Sequence, residues 1–259
     1  MIDCYWWAGV VERGIQNFGD VITPHIVRKL SGMEPVLVLD RGGRYLCSGS
    51  ILPALKKGDI VWGSGVVIPD NLESVPDGVK FCAVRGPLTR DLLMNKFGQD
   101  VPEIYGDPCL LIPKLFKMPM GTREFIGIVP HGTEYAEITK PGKGILTKKH
   151  ILIDITSGFE PVIQAINKCA YVVSSSLHAL ILADALGIPN VLAYFAHHEN
   201  MEQFSWKFHD YFLSVNRPLI PPLDCTETIN LSSLTYPGIA FDYSKFLSSC
   251  PFNFTKTTI

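Results

Sequence analysis

The chain has 259 residues, 47% of them hydrophobic, a formal net charge of -2 and a pI near 6.4. That size and apolar content can bury a sizeable core in one large domain or two small ones, and a near-neutral charge without a Lys/Arg block gives no electrostatic case for nucleic acid. No apolar run reaches the ~18 residues of a membrane span, and the start Met1-Ile2-Asp3 lacks the basic and apolar regions of a signal peptide, so a cytoplasmic protein is expected.

Residues 2 to 8, with two tryptophans, read as a buried first strand. The stretch from Gly9 to Gly19 has the glycines of a turn-rich loop, and Asp20 can cap a helix that runs to about Ser31 and stops at Gly32. Asn17, Gly19 and Asp20 then stand where a first parallel strand hands over to its helix, a usual place for ligand contacts, although Asp20 can equally be an N-cap and nothing more. Neither G-x-G-x-x-G nor G-x-x-x-x-G-K-[ST] occurs in this loop, so it is not a standard nucleotide-phosphate loop.

Pro35 to Leu39 reads as a second strand, followed by a loop with Gly42 and Gly43 and a short helix near residues 48 to 56. Asp59 to Val67 looks like a buried strand whose glycines, Gly63 and Gly65, permit a close backbone approach. Val79 to Val84 is the next strand, broken at Arg85-Gly86-Pro87, and Leu88 to Phe97 is a helix that ends at Gly98. This places Arg85 at another strand-to-helix junction. Tyr105-Gly106-Asp107-Pro108 is a turn signal with a capping aspartate, and residues 117 to 123 are the best linker.

The second half opens with Phe125 to Val129, a strand running into Pro130-His131-Gly132. Residues 133 to 149 read as a polar surface loop able to close over a ligand. Ile151 to Ile155 is a strand and Phe159 to Cys169 a helix. Then comes the most organised stretch, residues 171 to 193: a β-branched strand, three serines, a helix from about Leu177, a stop at Gly187 and a further strand. His178 falls in the first helical turn, beside unpaired amides and the positive end of the dipole. It is either a helix-start histidine bonded to a nearby carbonyl or an acid/base or anion-binding group. Met201 to Leu213 is a helix carrying Lys207, and the tail from Arg217 has too many aromatics for disorder. His197-His198-Glu199 lacks further ligands at suitable spacing, so no metal site is expected. The seven scattered cysteines form no C-x-x-C pair and read as reduced, buried hydrophobes.

Asn17-Phe18-Gly19-Asp20, Ala83-Val84-Arg85-Gly86-Pro87-Leu88-Thr89, Tyr105-Gly106-Asp107-Pro108, Val129-Pro130-His131 and Ser174-Ser175-Ser176-Leu177-His178-Ala179-Leu180, taken in order, resemble the polysaccharide pyruvyl transferase family and its bacterial exopolysaccharide branch. The similarity runs from about residue 3 to 215. It implies an α/β fold of two Rossmann-like domains facing a cleft, similar to glycosyltransferase type B. Residues 1–118 would form the acceptor side and 124–215 the donor side, with 216–259 packing back on the body.

The resemblance also implies an activity, transfer of the pyruvyl group of phosphoenolpyruvate onto two hydroxyls of a sugar, giving a cyclic ketal and phosphate, with no cofactor and no metal. Such chemistry asks for a general acid, a base and cations for the donor. His178 is then the acid or the phosphate ligand; Arg85 and Lys207 bind donor oxygens with Ser175, Ser176 and His131; Asp20 accepts a proton from, or orients, the acceptor, with Asn17 and Asp107 beside it. Some members carry arginine where this chain has Ser176, so either Lys207 or Arg85 carries that load or the donor differs. The implied acceptor is a sugar or lipid-linked oligosaccharide, the latter with peripheral association at the inner face of the membrane. Two other readings stand beside this one: a nucleotide-sugar-dependent glycosyltransferase of the same fold, with Glu199 and Glu202 available for a ribose, and a non-catalytic sugar-binding relative.

Overall fold

The computed structural model describes residues 1–8, 17–118, 122–140, 146–197, 201–229 and 236–252. The first half contains β1 (Ile2–Cys4), α1 (Phe18–Ser31), β2 (Pro35–Leu37), β3 (Tyr45–Leu46), β4 (Ile60–Trp62), β5 (Lys80–Ala83), α2 (Pro87–Phe97) and α3 (Ile112–Leu115). The second contains β6 (Phe125–Val129), α4 (Tyr135–Ile138), β7 (His150–Leu152), α5 (Phe159–Asn167), β8 (Cys169–Ser174), α6 (Leu177–Ala185), β9 (Asn190–Tyr194), α7 (Met201–Ser214), β10 (Leu223–Asp224) and α8 (Tyr243–Ser248).

Two five-stranded sheets result, ordered β2-β1-β3-β4-β5 and β10-β9-β8-β6-β7, with every pairing parallel. Parallel neighbours need crossovers, which is why short apolar strands alternate here with helices and longer loops. Numbered from its own first strand, each sheet has the order 2-1-3-4-5, a doubly wound, Rossmann-like arrangement. In such a sheet the strand order reverses beside the first strand, and the crevice at that point lies at the strands' carboxyl ends. Here the reversals fall between β1 and β3 and between β6 and β8.

One apolar core runs through both halves. Phe18, Ile22, Ile26, Leu110 and Leu111 from the first share it with Phe159, Val162, Leu177, Leu180 and Ile181 from the second. Helix α6 lies inside it, with Leu177 and every residue from Ala179 to Asp184 buried, as a helix apolar on all sides must be. Smaller cores cover the other face of each sheet: Leu46, Val61, Phe81 and Leu93 in one, Ile128, Val173, Val191 and Phe195 in the other.

Two further devices bind the halves. Helix α7 returns to α2, where Asp210 accepts from Arg85 Nε (3.0 Å), the Thr89 amide (2.9 Å) and Thr89 Oγ1 (2.7 Å). A β-carbon at Gly86 would overlap the backbone carbonyl of Asp210, so glycine is what admits α7 this close. The chain then adds β10 to the second sheet and crosses back to the first. Phe246 of α8 stacks on Trp62 (centroids 4.6 Å apart), Phe252 meets the same indole edge-on at 6.1 Å, and Trp62 Nε1 donates to Ser249 Oγ at 3.1 Å. On the way, Tyr236 donates its hydroxyl to Asp184 (2.9 Å), which also takes Tyr211 and Arg217.

Several elements differ from the sequence expectations. Asn17, and not Asp20, is the N-cap of α1; its Oδ1 accepts from the Gly19 amide at 3.1 Å, which puts Asp20 in the first turn. The run from Asp59 to Val67 pairs only over β4, because the backbone turns at Gly63. Residues 48 to 56 hold a single 3-10 turn, Leu52–Ala54. The loop after β6 contains α4, with Glu134 accepting from the amides of Phe195 (2.9 Å) and Ala196 (3.0 Å). The middle of the 117–123 linker, part of the 133–149 loop, His198 and Glu199 lie outside the described residues. Among the described residues no helix is long and apolar enough to cross a membrane.

Candidate active site

At the β6/β8 reversal the strand ends are stitched by serine hydroxyls. Ser174 Oγ donates to the Val129 carbonyl (2.6 Å) and accepts from the Ser176 amide (2.9 Å), while Ser175 Oγ accepts from the His131 amide (2.7 Å). These bonds fix the mouth of α6. Ser176 occupies the N-cap position without a side-chain bond to any amide, so the first-turn N–H groups keep their donor capacity beside the positive end of the helix.

His178, in that turn, reaches the other half. Its Nε2 lies 3.2 Å from Ser48 Oγ and 3.5 Å from Asp107 Oδ2. Ser48 is two residues beyond β3, so the histidine links the reversal point of one sheet to that of the other. Ser48 is held in turn, its amide donating to Thr23 Oγ1 (3.2 Å) and its hydroxyl to Asp107 Oδ1 (2.9 Å). Asp107 caps the 3-10 turn Pro108–Leu111, taking the Cys109 amide on the same oxygen at 2.9 Å. Asp107 is fully buried, and Oδ2 makes no hydrogen bond among the described residues.

The other side of the imidazole rests on Gly19. A β-carbon there would overlap Nδ1 and come within 2.8 Å of Cγ and Cε1, so any larger residue must displace the ring. Asp20 follows, close enough to feel the histidine. Burial pushes its carboxyl up to about 6, against the pull of His178. The local chemistry is therefore a histidine wedged between two carboxylates, one buried beneath it and one beside it, at the mouth of a helix.

The remaining sequence candidates are distributed differently. Lys207 on α7 is half-buried; burial first, then the Arg85 guanidinium, pull its ammonium down to about 8, with the Glu134 carboxylate opposing. Arg85 does not present itself to a ligand. It is 0% exposed, with Nε on Asp210, Nη1 on Ser50 Oγ (2.7 Å) and Nη2 on the Val66 carbonyl (2.6 Å), so its fork is spent inside the protein. Asp107, expected on the acceptor side, lies under His178 instead. Ser175 is spent on the His131 amide, and the His131 ring bonds Thr133 Oγ1 at 2.8 Å. Asn17 uses its carbonyl oxygen to cap α1. Ser48 escaped the sequence reading, which has no signal for it: the residue follows a strand of two residues and precedes an irregular stretch.

Two parallel, Rossmann-like five-stranded sheets, joined through one core and meeting at a histidine flanked by carboxylates, define an α/β protein of the doubly wound class. The particular lineage follows from comparison: a profile of the family "Polysaccharide pyruvyl transferase" matches residues 37–194, more than half of the chain, and the chain belongs to that family. It is also similar to the "Uncharacterized protein L143" of Acanthamoeba polyphaga mimivirus, 28% identical over 183 residues, 67% of this chain and 62% of that protein. The match thus spans less than two thirds of that relative's length. No solved structure matches the chain.

Proposed function

We propose that this protein transfers the pyruvyl group of phosphoenolpyruvate onto two hydroxyls of a sugar in a polysaccharide or oligosaccharide precursor. The observation that carries the reading is the placement of His178 at the uncapped mouth of α6, between Asp20 and Asp107. The donor is an enol ester of phosphate. Protonation of its methylene carbon by the His178 imidazolium leaves a cationic centre on the adjacent carbon, which a sugar hydroxyl attacks while giving its proton to a base, the Asp20 carboxylate. Cleavage of the carbon–oxygen bond to phosphate and attack by the second hydroxyl close the ketal. Of the two hydroxyl protons, one ends on the new methyl group and the other on phosphate. The first-turn amides of α6 and Lys207 supply positive potential for the donor's carboxylate and phosphate, taking the place of an arginine at Ser176. Asn17 and the first half face the acceptor, across a cleft like that of glycosyltransferase type B. A cytoplasmic location at the inner face of the membrane suits a lipid-linked acceptor.

The test is phosphate release from phosphoenolpyruvate with galactose-, glucose- and mannose-containing acceptors, run beside His178→Ala and Lys207→Met. Acceptor-dependent release in the parent, collapsing in His178→Ala, is expected. Silence across the panel, joined to thermal stabilisation by a nucleoside diphosphate but not by phosphoenolpyruvate, would replace this reading with a glycosyltransferase.

A further inference from the structure

A proton count at Ser48 says more about His178 than its position does. The serine hydroxyl has one proton and two lone pairs. Ser48 Oγ lies 2.9 Å from Asp107 Oδ1 and 3.2 Å from His178 Nε2. An ionised carboxylate only accepts, so the serine proton goes to Asp107, and the contact to the histidine can be a hydrogen bond only if Nε2 carries a hydrogen and donates it. We infer that His178 is held as the Nε2–H tautomer by Ser48 and Asp107, acting as positioning residues, so that Nδ1 is the ring atom that exchanges a proton with the substrate.

Three further observations agree. Asp107 Oδ2, buried and without a hydrogen bond among the described residues, stands 3.5 Å from Nε2 as a second acceptor for the same hydrogen, and as a preset counter-charge once the ring gains its second proton. The Cys109 amide donates to Oδ1, so the carboxylate is fixed by backbone and cannot rotate away without uncapping the turn. At the opposite edge, away from Ser48 and Asp107, Nδ1 packs against Gly19, whose missing side chain is what admits the ring there. Among the described residues, the titratable groups facing the ring are Asp107 on the Nε2 side and Asp20, the neighbour of Gly19, on the other half of its surroundings.

The inference rests on the proposed function for its consequence, though not for its measurement. Histidine-ring 15N correlation spectra of the full chain, with the His178 signals identified by their loss in His178→Gln, read the tautomer without any substrate. At a pH where the ring is neutral the parent should show a single Nε2–H form. In Asp107→Asn the side-chain amide can donate to Ser48, which then turns its proton toward Nε2, and the tautomer should flip to Nδ1–H. Turnover should fall in step, by up to about 10⁴-fold in kcat with little change in KM for the donor, the scale reported when a positioning carboxylate of this kind becomes an amide. Ser48→Ala should give a mixture of tautomers and a smaller loss, because Oδ2 remains in reach. If Asp107→Asn fails to fold, the parent spectrum and Ser48→Ala decide alone. A parent in the Nδ1–H form, or variants with the parental tautomer, would overturn the inference. A correct tautomer in a protein without pyruvyl transfer would leave it standing and remove the proposed function instead.

Discussion

Arg85 is where the sequence and the structure diverge most, and replacing its partner tests which of them to follow. Asp210→Ala removes three hydrogen bonds at once and leaves a guanidinium with 0% exposure without its ion-pair partner among the described residues. Breaking a buried pair from one side costs about 3–5 kcal/mol, chiefly through the uncompensated charge, and the two abandoned Thr89 donors raise it toward the upper end. At ~2–4 °C per kcal/mol for a chain of this size, Tm should fall by roughly 10–15 °C. Arg85→Ala should cost less, since Asp210 keeps both bonds from Thr89. The double variant should be no worse than Asp210→Ala alone, a coupling of at least ~2 kcal/mol in a double-mutant cycle. Thermal denaturation followed by circular dichroism reads all three, with turnover measured well below each midpoint. An Asp210→Ala protein within ~2 °C of the parent, beside an Arg85→Ala protein that melts normally but has lost donor binding, would refute the clasp and restore Arg85 as an anchor for the substrate.

Three other expectations concern the site itself. Gly19→Ala should retain the fold but lose on the order of 10²-fold in kcat, because displacing the His178 ring by an ångström spoils its alignment; full activity would show that the ring has room to spare. Asp20 has a raised pKa in the folded state, near 6 against 3.8, so the protein binds this proton more tightly than the unfolded chain does, and stability falls as pH rises from about 4 to 6 and is level above. Asp20→Asn should therefore raise Tm at pH 7.5 and leave it unchanged at pH 3.5, and an equal shift at both pH values would contradict this. For Lys207 the sign is reversed. Its folded value near 8 lies below 10.5, so stability rises between those limits while the ammonium is lost, and KM for an anionic donor should climb above pH 8 in the parent but stay flat in Lys207→Met.

The junctions of the fold were legible because they carry local chemistry. Gly32 and Gly98 end α1 and α2 in the left-handed conformation, and the serines before Leu177 mark the start of α6 to the residue. Strand lengths were not, since an apolar run such as Asp59 to Val67 continues past its last ladder pair into a loop that wraps Arg85. The shared 2-1-3-4-5 order was invisible, because it arises from where crossovers land and not from repeated residues. The same limit governs the site. His178 declared itself through its helix, but the partners that define its chemistry, Ser48 and Asp107, stand 130 and 71 positions away, and Arg85 finds Asp210 across 125. A strand-end arginine looks identical in sequence whether it awaits a phosphate or a carboxylate of its own chain.

The return of the C-terminal segment bears on how the protein comes into being. On the ribosome the first sheet emerges long before residues 246 to 252, which supply the aromatic cover for Trp62, and before Asp210, which neutralises Arg85. Until those residues are translated the leading half carries a bare indole face and a buried cation in search of a partner, and the Trp62–Ser249 bond spans 187 positions. The cover of the first sheet thus waits on residues more than 180 positions downstream of Trp62, and a chain cut short of residue 246 has an earliest-made half that is the part least able to stand alone.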